Sequence, residues 1–177
     1  MTALKYVGYI AMSLDGFIAD VDGSVAWLDA FNEALAADGG DGSYGEFIAP
    51  IDALIMGRTT YQQVLEWGWP YEERAGYVLT RQANLQGDHI AAAGDIKTLC
   101  IAIENAGHKN VWVMGGGETQ RAALDAGMFH TVSLFVMPTL LGRGLPCFAP
   151  GAQHKLTLTS ATQMAGGIMK LDYSIKD

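Results

Sequence analysis

The sequence of 177 residues has little of what marks secreted, membrane or zinc proteins. It contains two cysteines, Cys100 and Cys147, which lie far apart and match no zinc or redox spacing. A disulfide framework is therefore not expected, and the cytoplasm is the expected location. No run approaches the roughly 18 apolar residues that cross a bilayer, so no membrane association is expected.

Basic residues are also scarce. Lysine and arginine number 11 against 19 aspartates and glutamates, which gives a formal net charge of −8. This charge repels a phosphate backbone, so nucleic acid is not an expected partner, and any phosphate site must be a local exception. No pair among His89, His108, His130 and His154 has ligand spacing, so no metal is expected. No G-x-S-x-G sequence occurs, so a serine nucleophile is not indicated.

Apolar residues, in contrast, make up 50% of the chain, which is typical of a globular protein. We expect a single domain over residues 1–177. Short apolar runs predict strands at residues 5–12, 52–56, 75–79, 89–93, 111–114, 132–137, 155–160 and 168–175. Helices are predicted between them: residues 27–37, a helix capped by Thr59 or Thr60, one from Asp95 to Gly107, and residues 118–126. Strands that alternate with helices and then form a hairpin predict a mostly parallel central sheet with an antiparallel edge.

Two glycine turns carry the functional signal. "VWVMGGGET" (residues 111–119) and "IMGRTT" (residues 55–60) each place glycine between a buried strand and a helix. In parallel sheets, ligands commonly bind at the carboxyl ends of the strands, because the helix N-termini that follow present unpaired N–H groups. Bare glycine backbone would let a diphosphate approach closely. The alternative, that glycine only eases a sharp turn, stays open for either turn alone.

Basic and hydroxyl side chains follow the same strand ends. Arg58 adjoins one glycine turn, and Thr80 and Arg81 follow the strand at residues 75–79. Arginine offers a planar fork of donors that matches phosphate. Together these residues predict a mononucleotide cradle. It is not the dinucleotide fingerprint of the doubly wound fold, because "GGGETQ" lacks the third glycine.

The ordered motifs "AMSLDGFIADVDGSVAWL", "ALIMGRTTYQQV", "YVLTRQ", "VWVMGGGET" and "MPTLLGRGLPCF" resemble the dihydrofolate reductase-like superfamily. The most similar branch includes the reductase domain of bacterial riboflavin biosynthesis proteins and their stand-alone relatives. The resemblance implies a three-layer α/β/α fold with a mixed, mostly parallel eight-stranded sheet and a C-terminal antiparallel hairpin. It also implies NADPH as hydride donor and a homodimer.

The resemblance further implies which residues hold the cofactor. Ala11 and Ile18 would lie along the nicotinamide. The diphosphate and the 2′-phosphate would be held by Gly57, Arg58, Thr59 and Thr60, and the adenosine would be enclosed by Leu79, Thr80 and Arg81. The diphosphate would be wrapped from its other side by Met114, Gly115, Gly116, Gly117, Glu118 and Thr119.

Four positions depart from the family pattern. Asn32 stands where dihydrofolate reductases carry the acid that binds the pterin, and Glu118 stands where they carry an arginine for the 2′-phosphate. Phe17 and Gly115 stand where riboflavin reductases carry lysine and glutamate. Folate and a ribose-phosphate pyrimidine are therefore disfavoured as substrates, and the preference for NADPH rests on Arg58 and Arg81.

Aromatic residues and one acid are the candidates for a substrate pocket: Tyr9, Asp15, Trp27, Phe31, Tyr61 and Phe135. Each aromatic could instead be core, and Asp15 could instead stabilise the "SLDG" turn. The aromatic loop at residues 67–71 could cover the site or a partner subunit. No catalytic residue is identified.

These patterns predict an NADPH-dependent reductase that transfers a hydride to a small heterocyclic or carbonyl substrate. A dihydrofolate or riboflavin-pathway pyrimidine reductase is one alternative. A non-catalytic NADP-binding module is the other.

Overall fold

The computed structural model describes residues 3–37, 39, 42–71, 73–82, 85–87 and 90–175. Strands in these ranges are β1 (Lys5–Ser13), β2 (Phe17–Ala19), β3 (Ala53–Gly57), β4 (Ala75–Leu79), β5 (Ile90–Ala93), β6 (Asn110–Gly115), β7 (Phe129–Met137), β8 (Leu145–Pro146), β9 (Thr157–Gln163) and β10 (Met169–Ser174). The α-helices are α1 (Asp29–Ala37), α2 (Gly42–Ile48), α3 (Arg58–Glu66), α4 (Ile96–Ala106) and α5 (Gly117–Asp125). Short 3-10 helices span Ala26–Leu28 and Ala165–Gly167.

Eight strands form one sheet in the order β5-β4-β3-β6-β1-β7-β10-β9. From β5 to β7 neighbouring strands run parallel, and β10 pairs antiparallel with both β7 and β9. The predicted mostly parallel sheet with an antiparallel C-terminal hairpin is confirmed. A separate antiparallel ladder joins β2 to β8. Sequence periodicity did not predict this ladder, because strands of three and two residues are too short to show it.

Helices cover both faces of the sheet. On one face, side chains of α4 and α5 pack on β1, β6 and β7 through Leu99, Ile103, Ala123, Leu124, Val111, Val113 and Phe129. On the other face, α3 packs on β3 and β4, and α1 packs on β7, through Tyr61, Val64, Leu54, Met56, Val78, Phe31, Phe135 and Met137. The sheet is therefore the middle layer of three.

Helix α4 begins and ends as predicted. The Asp95 side chain accepts a hydrogen bond from the Thr98 amide at 2.9 Å, and Gly107 ends the helix with φ of 81°. The start of α3 differs, because the helix begins at Arg58 after Gly57, and no side chain caps it. The prediction that Thr59 or Thr60 caps this helix is wrong. Both threonines lie inside its first turn instead.

Helix α2 was not predicted, since the "DGGDGS" sequence at residues 38–43, which includes Gly42, indicated a flexible break. The predicted strand at residues 89–93 is observed as Ile90–Ala93, and His89 lies outside the described residues. In the part of the chain that the structure describes, no helix is long and apolar enough to cross a membrane.

Candidate functional site

A cavity of about 690 Å³ lies at the carboxyl ends of β1, β3, β4 and β6. All residues predicted to hold the cofactor line it: Ala11, Ile18, Gly57, Arg58, Thr59, Thr60, Leu79, Thr80, Arg81, Met114, Gly115, Gly116, Gly117, Glu118 and Thr119. Separate stretches of sequence thus meet at one edge of one sheet, as parallel strands require. Their role in binding a cofactor stays a prediction.

Two helices begin at this cavity without a side-chain cap. Gly57 precedes α3 and Gly116 precedes α5, and both have extended backbones that form no side-chain cap hydrogen bond. The first N–H groups of a helix have no acceptor within the helix, and the helix dipole adds positive potential there. Helix α4, whose start also borders the cavity, is capped by Asp95. The uncapped ends of α3 and α5 are therefore the ones suited to an anion.

The three consecutive glycines have three different structural reasons. Gly115 has φ of 135°, a backbone conformation that other residues rarely adopt. A Cβ on Gly117 would collide with the carbonyl of Pro146, so this glycine lets another segment pack closely. A Cβ on Gly116 would lie 3.7 Å from Ile18 Cδ1 and 3.8 Å from Thr60 Oγ1, between two side chains that line the cavity. All three glycines line the cavity, and at Gly116 an added Cβ would meet only lining side chains. The expectation that the three glycines admit a ligand stays a prediction.

One wall of the cavity is held by a carboxylate that does not line it. Asp15 Oδ1 accepts hydrogen bonds from Ser13 Oγ at 2.6 Å and the Leu141 amide at 3.1 Å, and Oδ2 accepts one from the Gly142 amide at 2.7 Å. The Ser13 hydroxyl contributes most to holding the pKa of Asp15 below its usual value. Asp15 is therefore a stable anion that ties down the loop after β7.

The same loop brings Leu145, Pro146 and Ala149 to the cavity. Its further anchors are the β2–β8 ladder, a hydrogen bond from the Cys147 amide to the Gly16 carbonyl at 2.8 Å, and one from the Ala149 amide to the Gly117 carbonyl at 3.1 Å. We call residues 139–149 the wall loop. Phe17, one of the departures from the family pattern, pairs with Pro146 in this ladder.

Charged side chains gather at the β3–β5 end of the cavity. Arg58 donates from Nη1 to Gln82 Oε1 at 3.2 Å, and the Gln82 amide donates to Thr80 Oγ1 at 3.1 Å. Arg58 and Arg81 are both exposed. Glu118 in the first turn of α5 also lines the cavity and opposes an anion there.

Of the residues predicted for a substrate pocket, Tyr9 lines the cavity. Its ring stacks on Phe47 with centroids 4.3 Å apart and lies 4.4 Å from Phe135. Asp15, Trp27, Phe31, Tyr61 and Phe135 are not among the lining residues. Trp27 and Phe31 pack against the buried Phe135, and Tyr61 packs against Trp69. Tyr61 and Phe135 are buried in the core, whereas Trp27 and Phe31 are only half-buried. A substrate-binding role for these aromatics stays a prediction.

The aromatic loop at residues 67–71 contains both buried and exposed side chains. Trp69 and Tyr71 are buried in the core beneath α3, with centroids 6.0 Å apart, whereas Trp67 is exposed. Trp69 and Tyr71 therefore do not form a lid.

Sequence reasoning missed several lining residues, above all Gln63, Val25 and Leu28. Gln63 follows Thr59 and Thr60 by one helical turn, so the spacing of α3 is a signal that could have found it. Val25 precedes a short 3-10 helix, and Leu28 ends it; Leu28 fell within the predicted helix at residues 27–37, whose periodicity did not show that it faces the cavity. No group of three or more His, Cys, Asp or Glu side chains in the described ranges is arranged to hold a metal ion.

The fold and site define a three-layer α/β protein in which a cavity suited to binding an anion lies at the carboxyl ends of the sheet strands. Residues 7–170 match the model of the RibD C-terminal domain, and the chain belongs to this family. It is 32% identical to the uncharacterized protein YwjB of Bacillus subtilis (strain 168), over 92% of this chain and 90% of that one.

Two solved structures share the fold. A putative riboflavin biosynthesis protein from Shewanella sp. PV-4 has a TM-score of 0.85 and 22% identity, over 98% of this chain and all of the other. A pyrimidine reductase-like protein from Corynebacterium diphtheriae has a TM-score of 0.70 and 14% identity, over 98% of this chain and 92% of the other. The resemblance to the riboflavin reductase branch is confirmed.

Proposed function

We propose that this protein is an NADPH-dependent reductase that transfers a hydride to a small heterocyclic or carbonyl substrate. The observation that carries the proposal is the meeting of two uncapped helix N-termini, α3 and α5, in one cavity beside Arg58 and Arg81. Membership of a reductase-like family supports the same conclusion.

The lining residues fit a dinucleotide of this kind. The amides at the starts of α3 and α5 would hold the diphosphate, and the bare backbone at Gly116 leaves room for it. Arg58 and Arg81 would hold the 2′-phosphate at the β3–β4 end. The nicotinamide would lie along Ala11 and Ile18 near β1. When bound, NADPH would supply the hydride.

The chain's own contribution is to bind, orient and exclude water. Hydride transfer needs the donor and acceptor held in contact in a dry site rather than a nucleophile. Among the described lining residues the carboxylates are Asp95 and Glu118, and Asp95 is engaged by Thr98 through both its oxygens. We therefore assign no catalytic acid to the protein.

A riboflavin-pathway pyrimidine reductase and a non-catalytic NADP-binding module are the alternatives. Phe17, where riboflavin reductases carry lysine, is held in the β2–β8 ladder, and Gly115 offers no side chain. These two positions disfavour a substrate that carries a ribose phosphate.

The proposal includes a cytoplasmic homodimer. Every residue of β9 is exposed, including Leu158 at 52%, and all residues of β10 are only partly buried. Sedimentation equilibrium would give twice the mass of the chain, and Leu158→Glu would lower it. A monomer at micromolar concentration would refute the dimer.

Two measurements test the function. Nicotinamide fluorescence gives the affinities for NADPH and NADH, and the loss of nicotinamide absorbance after an acceptor is added gives the rate of cofactor oxidation. The acceptors are dihydrofolate, an aminopyrimidine ribose phosphate, quinones and imines. We expect binding of NADPH tighter than that of NADH, and its oxidation by a quinone or imine. Binding without oxidation by any acceptor would favour the module.

A further inference from the structure

The two ends of the cavity differ sharply in charge. Every charged side chain among the described lining residues follows β3, β4, β5 or β6: Arg58, Arg81, Asp95 and Glu118. Beside β1 and β2 the lining is Tyr9, Ala11, Ile18, Val25 and Leu28, together with Thr60 and Gln63. None of the described residues that line the cavity at this β1 end carries a charged side chain.

These residues form one continuous end of the cavity. Leu28 packs in the same cluster as Tyr9 and Ala11. Gln63 reaches from α3 toward Gly23, with 3.4 Å between Nε2 and the Gly23 carbonyl oxygen. A substrate that meets the nicotinamide beside Ala11 and Ile18 must therefore lie against apolar walls, one aromatic ring, the Thr60 hydroxyl and the Gln63 amide.

We propose that the substrate is an uncharged, flat, conjugated carbonyl compound of the quinone class, bound at the β1 end of the cavity. This inference rests on the proposed function. Burying a phosphate, sulfonate or carboxylate without a cation costs several kcal/mol, about the whole binding energy of a small molecule. Lys170 is not among the lining residues, and its ammonium lies over the Phe135 ring, 5.8 Å from the centroid, and 3.9 Å from Asp172.

The lack of a strong acid at this end favours a quinone over an imine, since the one phenol among the described lining residues, Tyr9, has its hydroxyl 3.0 Å from Ser43 Oγ. No carboxyl, imidazole or ammonium group is among the described residues lining it. An imine needs a proton at nitrogen as the hydride arrives, and a general acid normally supplies it. A quinone accepts the hydride with its electron pair and becomes a hydroquinone anion, which takes its proton from water. Bound NADPH would supply this hydride and its electron pair, so electrons and protons balance.

Gln63 is the group that would orient such a substrate. Its hydrogen bond to Gly23 is long, so little is lost when Nε2 turns to donate to a quinone oxygen. Gln63→Leu should lower kcat/KM for an uncharged quinone about tenfold, the size of one hydrogen bond. NADPH affinity, measured by fluorescence, should stay within about twofold, which separates loss of substrate contact from loss of cofactor. No loss of kcat/KM would overturn the role of Gln63.

A matched pair of acceptors tests the substrate class. With the protein loaded with NADPH, we expect kcat/KM for 1,4-naphthoquinone at least about tenfold above that for 1,4-naphthoquinone-2-sulfonate, after subtraction of the rate without protein. The sulfonate is the intrinsically stronger oxidant, so reactivity alone predicts the opposite order. Equal or faster reduction of the sulfonate would overturn the inference.

Other outcomes separate this inference from the proposed function. Binding of NADPH with oxidation by neither quinone would overturn the substrate class and leave the cofactor site standing. Absence of NADPH binding would overturn the proposed function itself.

A charge placed at the β1 end provides the converse test. Leu28→Arg should shift the preference toward the sulfonate about tenfold or more, whereas the uncharged control Leu28→Gln should not. Val25→Arg is the second variant if Leu28→Arg does not fold by circular dichroism. An unchanged preference in a folded arginine variant would contradict the proposed location of the substrate.

Discussion

Asp15 and Gly142 lie 127 positions apart in the chain and are joined by a 2.7 Å hydrogen bond from the Gly142 amide to Asp15 Oδ2. This contact, with the one from the Leu141 amide to Oδ1, fastens the wall loop to the turn after β1. The loop in turn carries Leu145, Pro146 and Ala149 to the cavity. An acid outside the cavity thus determines part of its shape.

Asp15→Asn should therefore weaken NADPH binding several-fold without removing any group that lines the cavity. The amide retains the size of the carboxyl but is a weaker acceptor for three donors. The dissociation constant from fluorescence titration measures the effect. Asp22→Asn, an exposed change in the next turn, is the control and should leave affinity unchanged. Equal affinities for wild type and Asp15→Asn would show that the wall loop holds its position without this carboxylate.

The same residue predicts a dependence of stability on pH. Because hydrogen bonds hold the pKa of Asp15 below its unfolded value of about 4, the unfolded state binds the proton more readily. The stabilisation is fully present above about pH 5 and is lost as pH falls through the lower folded pKa. The difference in free energy of unfolding between wild type and Asp15→Asn, from urea denaturation, should be constant from pH 5 to 7 and shrink below about pH 4. A difference that grows on acidification would contradict this assignment.

Arg58→Ala should weaken NADPH binding about tenfold or more and NADH binding much less, because a guanidinium recognises the 2′-phosphate that NADH lacks. The exposed Lys155→Ala removes the same charge outside both the cavity and the wall loop and serves as control. Equal losses for both nucleotides would mean that the 2′-phosphate is held elsewhere.

Glu118→Gln should tighten both nucleotides several-fold. Its carboxylate stands in the first turn of α5, where it competes with an anion for the helix N-terminus. Since the diphosphate is common to NADPH and NADH, the gain should be equal for both and should fall with added salt. Weaker binding would instead indicate that the carboxylate accepts a hydrogen bond from the nucleotide.

Gly116→Ala and Gly117→Ala form a pair that separates binding from folding. Alanine at 116 meets ordinary contacts of 3.7–3.8 Å, so the melting temperature should hardly change while NADPH affinity falls at least about tenfold. Alanine at 117 would strike the backbone at Pro146, so the melting temperature should fall by several degrees. Normal NADPH affinity in Gly116→Ala would rule out close approach of the diphosphate to that residue.

Much of the fold could be predicted because its central strands are apolar on both faces. The run Ala53–Met56 of β3 and the run Val111–Val113 of β6 are buried, so the approximate limits of both strands followed from composition. Asp95 and Gly107 marked the ends of α4 through local chemistry alone. Helix α2 could not be predicted because its glycines removed the periodic signal, and the β2–β8 ladder could not be predicted because its strands are too short to show one. Tertiary contacts determine both.

The candidate site, like the fold, has features that local sequence patterns predict and features that depend on tertiary contacts. Glycine turns and arginines at strand ends are local patterns, and they indicated residues that the structure brings together. The anchoring role of Asp15 and the lining by Leu28 and Gln63 depend on contacts between distant segments, such as Gln63 with Gly23. The separate reasons for Gly115, Gly116 and Gly117 also required coordinates, because three identical residues carry no sequence signal of their different surroundings.

Backbone amide chemical shifts during an NADPH titration test the central claim most directly, since they report on the groups proposed to bind the diphosphate. The largest changes should fall on the amides of residues 58–60 and 117–119, the first turns of α3 and α5, with lesser changes at the start of the Asp95-capped α4. NADPH binding that leaves the amides of both uncapped turns unshifted would contradict the account.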